Sequence, residues 1–432
     1  MVNKIIKSSI NSFSTQQLIR SEKDRTWTMT GFALIVMPSL LLILIWKATP
    51  IYNDYPNPNS DGGYYLSMTE CLKEHLQGNH SPCDPKAYSA PFCYRILTPF
   101  FASLLPFSPT ENYLFLAFLS NWLTLMLLYG LLRKAGMSYI SSLVGMLFYV
   151  GVFWAIKWSF YCPFYIDFQT QMFIFTILYL MTTEKYHFIP VIMTIGVLQK
   201  ESILFLSPVV FVHYMQTRGG VRKKSLFYFS LLLLFPTVTL FLTRSAIEVH
   251  NSYNAIGDLQ GIFVYQVTNG TFWQNFIFEI FSGLGLLPLI LLYRMGDGWK
   301  FLRNNLHWLV LTVLGIILLF CGADKARLFL YILPAVIVVT TKIIEPIVSP
   351  PRIHALLWIT LSLILHYYLG YHFSPMDAYM EFFYRMIPVH ASGPLLPNFI
   401  RIGVVLLIWI GLTACLRPFG HRTNTPYSPE SS

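Results

Sequence analysis

The residues able to do chemistry in this chain are charged side chains stranded in apolar sequence. Asp61 stands in "NSDGGYYLSM", directly ahead of two glycines and two tyrosines. Arg95 lies in "APFCYRILTPFF", Asp167 in "FYCPFYIDFQTQ", and the neighbours Lys200 and Glu201 in "VLQKESILFLSP". Asp324 and Arg327 share "FCGADKARLF". Carboxylates supply general bases and orient cations, while a guanidinium or ammonium holds a phosphate or a developing anion. Each residue also has a plainer role. Asp61 fits a helix cap, and Arg95 a side chain snorkelling to an interface. Lys200–Glu201 fits an ion pair at a helix break, and Asp324–Arg327 the anchors of a short loop. A charge inside apolar sequence is costly, which favours function for Asp167 and Lys200–Glu201.

The elements that must position these residues are long apolar runs. Of 432 residues, 55% are hydrophobic, 16% aromatic and 12% charged, whereas a soluble domain is about a quarter charged. Mean hydropathy is +0.54. With no long polar block, this composition predicts an all-α polytopic membrane protein of about 10–12 transmembrane helices.

Basic residues fix an orientation. Lys4, Lys7, Arg20, Lys23 and Arg25 precede the first run, Trp27 to Trp46, and place the N-terminus in the cytoplasm. Residues 49–111 then form a large first outer loop, too rich in Pro, Asn, Asp and Gly to cross. Juxtamembrane helices are expected in it at 64–76, with Asp61 and its glycines turning the chain ahead of the first, and at 92–107. Further runs cover 112–132, 138–156, 164–181, 226–242, 276–293, 307–320, 328–341, 355–368 and 399–416, with 243–275 read as an outer loop. The run 188–215 is flanked by Lys185 on one side and by Arg218, Arg222, Lys223 and Lys224 on the other. Parity survives if it is two half-helices meeting at Lys200–Glu201. On this scoring 1–26 is a cytoplasmic segment, 27–416 one transmembrane catalytic domain, and 417–432 a cytoplasmic tail of disordered composition. By the same scoring Asp61, Arg95, Asp167, Lys200, Glu201, Asp324 and Arg327 all fall on the outer side. The expected location is a bacterial inner membrane with both termini cytoplasmic.

Several function classes drop out. The formal net charge of +10 comes from residues between apolar runs, which orient a membrane protein and do not form a nucleic-acid face. There is no G-x-x-x-x-G-K-[ST] loop and no H-E-x-x-H helix. The 11 histidines show no metal spacing. Of the six cysteines, Cys71, Cys83 and Cys93 share the first outer region. In an oxidising compartment two of them can pair, Cys71 with Cys83 being the preferred choice.

Taken together, the pattern resembles the integral-membrane glycosyltransferases of the C superfamily, which use lipid-phosphate sugar donors. The likeness lies in order and common face. Asp61 opens the first outer loop, and a "YR-x-L-x-P" element follows at Tyr94, Arg95, Leu97 and Pro99. A "KE" sits in a broken helix at Lys200 and Glu201, and a late "D-x-x-R" at Asp324 and Arg327 precedes a span containing Pro334. The resemblance covers the chain to about residue 340 and implies transfer of a sugar from a polyprenyl-phosphate donor to a glycan, lipid or protein acceptor. It implies Asp61 as catalytic base and Arg95, Lys200 and Arg327 as phosphate holders. Asp167, Glu201 and Asp324 would orient the cations or the acceptor. Tyr64, Tyr65, Trp154 and Trp158 are candidates for stacking on sugar rings. A lone Asp before Gly62–Gly63 replaces the paired acids of several members, so no metal ligand is assigned and dependence on a divalent metal stays open. An O-antigen-type polymerase or ligase and a secondary transporter are the alternative readings.

Overall fold

A computed structural model of the chain describes residues 35–49, 61–79, 81–220, 223–251, 254–268, 276, 279–320, 325–348, 353–372 and 395–416. Among these the regular structure is helical, with no strand. The helices used below are α1 (Met37–Ala48), α2 (Asp61–Leu76), α3 (Leu97–Leu104), α4 (Pro109–Lys134), α5 (Tyr139–Gly151), α6 (Asp167–Thr182), α7 (Ile189–Gln199), α8 (Ser207–Arg218) and α9 (Lys223–Ala246). They continue as α10 (Ala255–Thr268), α11 (Leu287–Tyr293), α12 (Met295–Asn304), α13 (Leu306–Leu319), α14 (Leu333–Val348), α15 (Ile353–His372) and α16 (Leu395–Leu416).

The longest of them, α4, is specified at both ends. Ser108 Oγ accepts the Glu111 N–H and Glu111 Oε2 accepts the Ser108 N–H, a reciprocal cap ahead of Pro109. Glu111 lies in the first turn and Arg133 and Lys134 in the last, each opposing the helix partial charge at its end. Among the described residues, α4 and α9 are the two helices long and apolar enough to cross a membrane, and the number rises to four if each of two bent pairs is one span.

Those bends correct the sequence expectation. The run 138–156 stops at Gly151: Val152 is extended, and a π-helical turn (Phe153–Lys157) and a short helix to Tyr161 follow at 69°. The basic loop at 294–303 is itself helical, α12, and meets α13 at 110°. The region read as an outer loop at 243–275 contains α10. The run 276–293 is interrupted at Gly285, whose φ is +56. A Cβ there would lie 2.3 Å from His366 Nδ1 and 2.8 Å from the His366 carbonyl oxygen, so only glycine fits. The predicted break at Lys200–Glu201 is present: α7 ends at Gln199, a 3₁₀ segment covers Glu201–Leu206, and α8 follows.

Two apolar cores result. The larger joins α4 to α9, α11, α13, α14 and α15. Trp154 and Trp158 belong to it, 2% and 1% exposed, with ring centroids 4.9 Å apart. They are therefore packing residues and cannot meet a sugar ring. The smaller core is built from the first outer region: Tyr65, Met68, Ala87, Ala90, Cys93, Tyr94 and Ala102 pack with Tyr113 at the head of α4 and with Phe164 and Ile166 ahead of α6. A disulfide between Cys71 and Cys83 ties the far end of α2 to the following segment, as the sequence favoured.

Candidate active site

The smaller core carries one rim of an ionic cluster. Asp61 is the first residue of α2, and Tyr65 follows one turn later on the same face. Gly62 and Gly63 are not a turn ahead of the helix, as their type suggested; they are buried within its first turn. Arg95 ends the 3₁₀ turn Phe92–Tyr94. Asp167 opens α6, where the helix N-terminus favours a carboxylate. Lys200 is extended, with φ −163 and ψ 130. Glu201 opens the 3₁₀ segment that follows, so the backbone changes direction between the two residues, and they find different partners.

Those partners come from distant parts of the chain. Arg95 grips Glu201 through two parallel bonds, Nη2 to Oε1 at 2.6 Å and Nε to Oε2 at 3.0 Å, and Nη1 donates to the Tyr65 hydroxyl at 3.1 Å. Lys200 Nζ donates to Asp167 Oδ1 at 2.7 Å. Arg327, on the turn Lys325–Leu328, donates from Nη2 to Asp61 Oδ2 at 3.1 Å, and its Nε lies 3.5 Å from Asp167 Oδ2. Asp167 therefore bridges Lys200 and Arg327. Three cations and three carboxylates from five separate segments meet in one cluster. Asp324 lies outside the described residues.

Exposure divides their roles. The Asp61 and Glu201 side chains are 26% and 31% exposed, whereas those of Arg95, Lys200, Arg327 and Asp167 are 9–15% exposed. Asp61 and Glu201 are thus the more exposed members of the cluster, and the cations and Asp167 the less exposed. Burial pushes the Tyr65 phenol up to about 12, so it stays neutral beside Arg95. Burial pulls the Arg95 guanidinium down, but the Glu201 carboxylate and the Tyr65 hydroxyl together raise it by more and hold it charged.

Residues that the sequence did not single out complete the shell. Gln199 links α3 to α6: its Oε1 accepts from Thr98 at 2.7 Å and its Nε2 donates to the Ile166 carbonyl at 3.1 Å. Ser202 and the Tyr331 hydroxyl are 2.6 Å apart. Lys200 Nζ lies 5.7 Å from the centre of the Tyr331 ring, and the Arg327 guanidinium 4.8 Å from that of Tyr165. Tyr65, expected as a sugar-stacking ring, is 1% exposed and instead supports Arg95; the i, i+4 spacing from Asp61 was the available signal. Tyr64 is partly exposed and stacks parallel on Phe92 at 4.5 Å. Gln199, Thr98 and Tyr331 had no sequence signal, because their roles depend on helix docking.

Among the described residues of the cluster, each carboxylate is paired with a cation. Among the described residues, one group of three metal-ligating side chains converges, Cys71, His75 and Cys83. There the two thiolates are consumed in the disulfide, and His75 Nδ1 bonds the Cys71 carbonyl at 2.9 Å. Burial raises the Cys93 thiol to about 11, which suits a packing residue and not a nucleophile.

The class that fold and site define is an all-helical protein with apolar helices of membrane-crossing character and a partly buried ionic cluster of six side chains. Comparison with protein-family models, curated proteins and solved structures gave no match.

Proposed function

We propose that this protein is a polytopic membrane glycosyltransferase that moves a sugar from a polyprenyl-phosphate donor to an acceptor hydroxyl on the extracytoplasmic side. The observation that carries the reading is the meeting of Arg95, Lys200 and Arg327 with two more exposed carboxylates, Asp61 and Glu201. Breaking a sugar–phosphate bond places growing negative charge on the phosphate, and fixed cations in a partly dehydrated site stabilise it. The acceptor hydroxyl must lose a proton as it attacks, and Asp61 is the carboxylate placed to take it. Glu201 holds the Arg95 fork in position, and Asp167 does the same for Lys200 and Arg327. The surrounding apolar helices offer a surface for the polyprenyl chain.

Membrane fractions incubated with radiolabelled polyprenyl-phosphate sugars test the proposal. Transfer is expected from the natural protein, with losses of at least about 100-fold in Asp61→Asn and Lys200→Ala, the scale of removing a general base or a charge-stabilising group. Undiminished transfer by both variants sinks the assignments. The Lys200–Asp167 pair at a helix break also supports a second reading, a secondary transporter in which that pair couples to a solute. Solute uptake by proteoliposomes without sugar transfer would select it.

A further inference from the structure

The segment that presents Arg95 has little structure of its own. Its backbone bonds are local: Ala87 N–H to Asp84, Ser89 N–H to Lys86, Cys93 N–H to Ser89 and Arg95 N–H to Phe92. Bonds of this kind shape a turn but do not place it against the rest of the molecule. Packing in the smaller core and long-range hydrogen bonds on both sides of Arg95 do that. Behind Arg95, Thr98 bonds Gln199. Ahead of it, Asn251 holds the backbone of Ala90 with both ends of its amide: Oδ1 accepts the Ala90 N–H at 2.7 Å, and Nδ2 donates to the Ala90 carbonyl at 2.8 Å. A side-chain amide used this way stands in for a paired backbone, and the complementary partners fix which end is oxygen.

Asn251 is part of a strap that follows α9. The His250 N–H donates to the Tyr88 carbonyl at 3.3 Å, and the His250 ring packs edge-on against Tyr88 at 5.4 Å. Arg244 lies 5.2 Å from the centre of the Tyr94 ring, and Ile247 packs against the smaller core. The strap thus covers the residues just ahead of Arg95, while its own side chains are largely exposed.

We infer that Asn251 is a positioning residue for Arg95: its two bonds to Ala90 fix the turn from which the guanidinium reaches Glu201 and Tyr65. Because Asn251 is exposed, its removal opens no core cavity, and the effect falls on the turn. The inference rests on Arg95 belonging to the candidate site, but not on sugar transfer.

The test reads Arg95 directly. The full chain, purified in detergent, is treated with phenylglyoxal, an arginine-selective dicarbonyl, and modification of Arg95 and Arg327 is timed by peptide mass spectrometry. Asn251→Ala should speed Arg95 modification about tenfold, the scale of one or two lost hydrogen bonds, with Arg327 unchanged. Asn251→Asp keeps the acceptor and loses the donor, and should fall between. An unchanged Arg95 rate in Asn251→Ala overturns the inference. So does a parallel rise at Arg95 and Arg327, which reports general loosening. The assay contains no sugar donor, so a failed transfer reaction leaves this result standing, and the reverse also holds.

Discussion

The two ends of the stretch from Lys200 to Arg218 bury polar groups in opposite ways. At its start, Lys200 and Glu201 lead into an ionic cluster that closes on Asp61, Arg95, Asp167 and Arg327. Near its end, His213 meets His307 of α13 with ring centroids 4.6 Å apart. There the partners are uncharged: the Tyr186 hydroxyl bonds His213 Nδ1 and Thr217 Oγ1 at 2.8 Å each, and Gln216 lies 3.3 Å from His307 Nδ1. His366 elsewhere is satisfied in the same manner, accepting the Leu286 N–H and donating to the Phe148 carbonyl. A buried histidine network with neutral partners knits helices together. A cluster of full charges with two carboxylates left partly exposed is what the proposed function asks of a ligand site. Burial of a titratable group is thus a weak pointer to function, and the type and exposure of its partners are stronger.

The largest expected effect comes from Asp167→Asn. It leaves Lys200 and Arg327 without their shared counter-charge and should lower stability by about 3–5 kcal/mol, read by thermal unfolding in detergent, with loss of transfer. If stability is unaltered, Asp167 is not the bridge described. Next, Glu201→Gln keeps size but weakens the Arg95 fork. It should cost about 1.5–3 kcal/mol, the range for a bond to a charged group, and raise the phenylglyoxal reactivity of Arg95.

At the other end of that stretch the effects should be smaller and confined to folding. Tyr186→Phe removes the hydroxyl shared by His213 and Thr217 and should cost about 1 kcal/mol while transfer is unchanged. A loss of transfer would break the contrast between the two clusters. Smallest of all, Arg218→Ala removes an ion pair to Glu184 at 3.0 Å whose side chains are 52% and 53% exposed. It should change stability by less than about 1 kcal/mol, and less again in high salt.

Much of the arrangement was legible in one dimension. The run at the heart of α4, the break at Lys200–Glu201 and the preferred pairing of Cys71 with Cys83 were expected from residue type and local spacing. The interruptions at Val152 and Gly285 and the bend between α12 and α13 were not legible, because apolar runs look continuous whether or not the helix within them turns. The same limit explains Trp154 and Trp158. A tryptophan in apolar sequence has one composition whether it packs in a core or faces a ligand.

The sequence by itself determined an apolar helical chain in which few charges interrupt the apolar runs. It could do so because the cost of burying charge is paid locally, at each residue. Which charges meet was decided only in three dimensions. Arg95 and Glu201 are 106 residues apart, and Asp61 and Arg327 are 266 apart. Their pairing depends on how α2, α6, α7 and the turn at Lys325–Leu328 dock, and docking reflects the packing of whole helix faces. The roles of Tyr65, Gln199 and Asn251 belong to that level too, since each depends on a partner that only the assembled fold brings within reach.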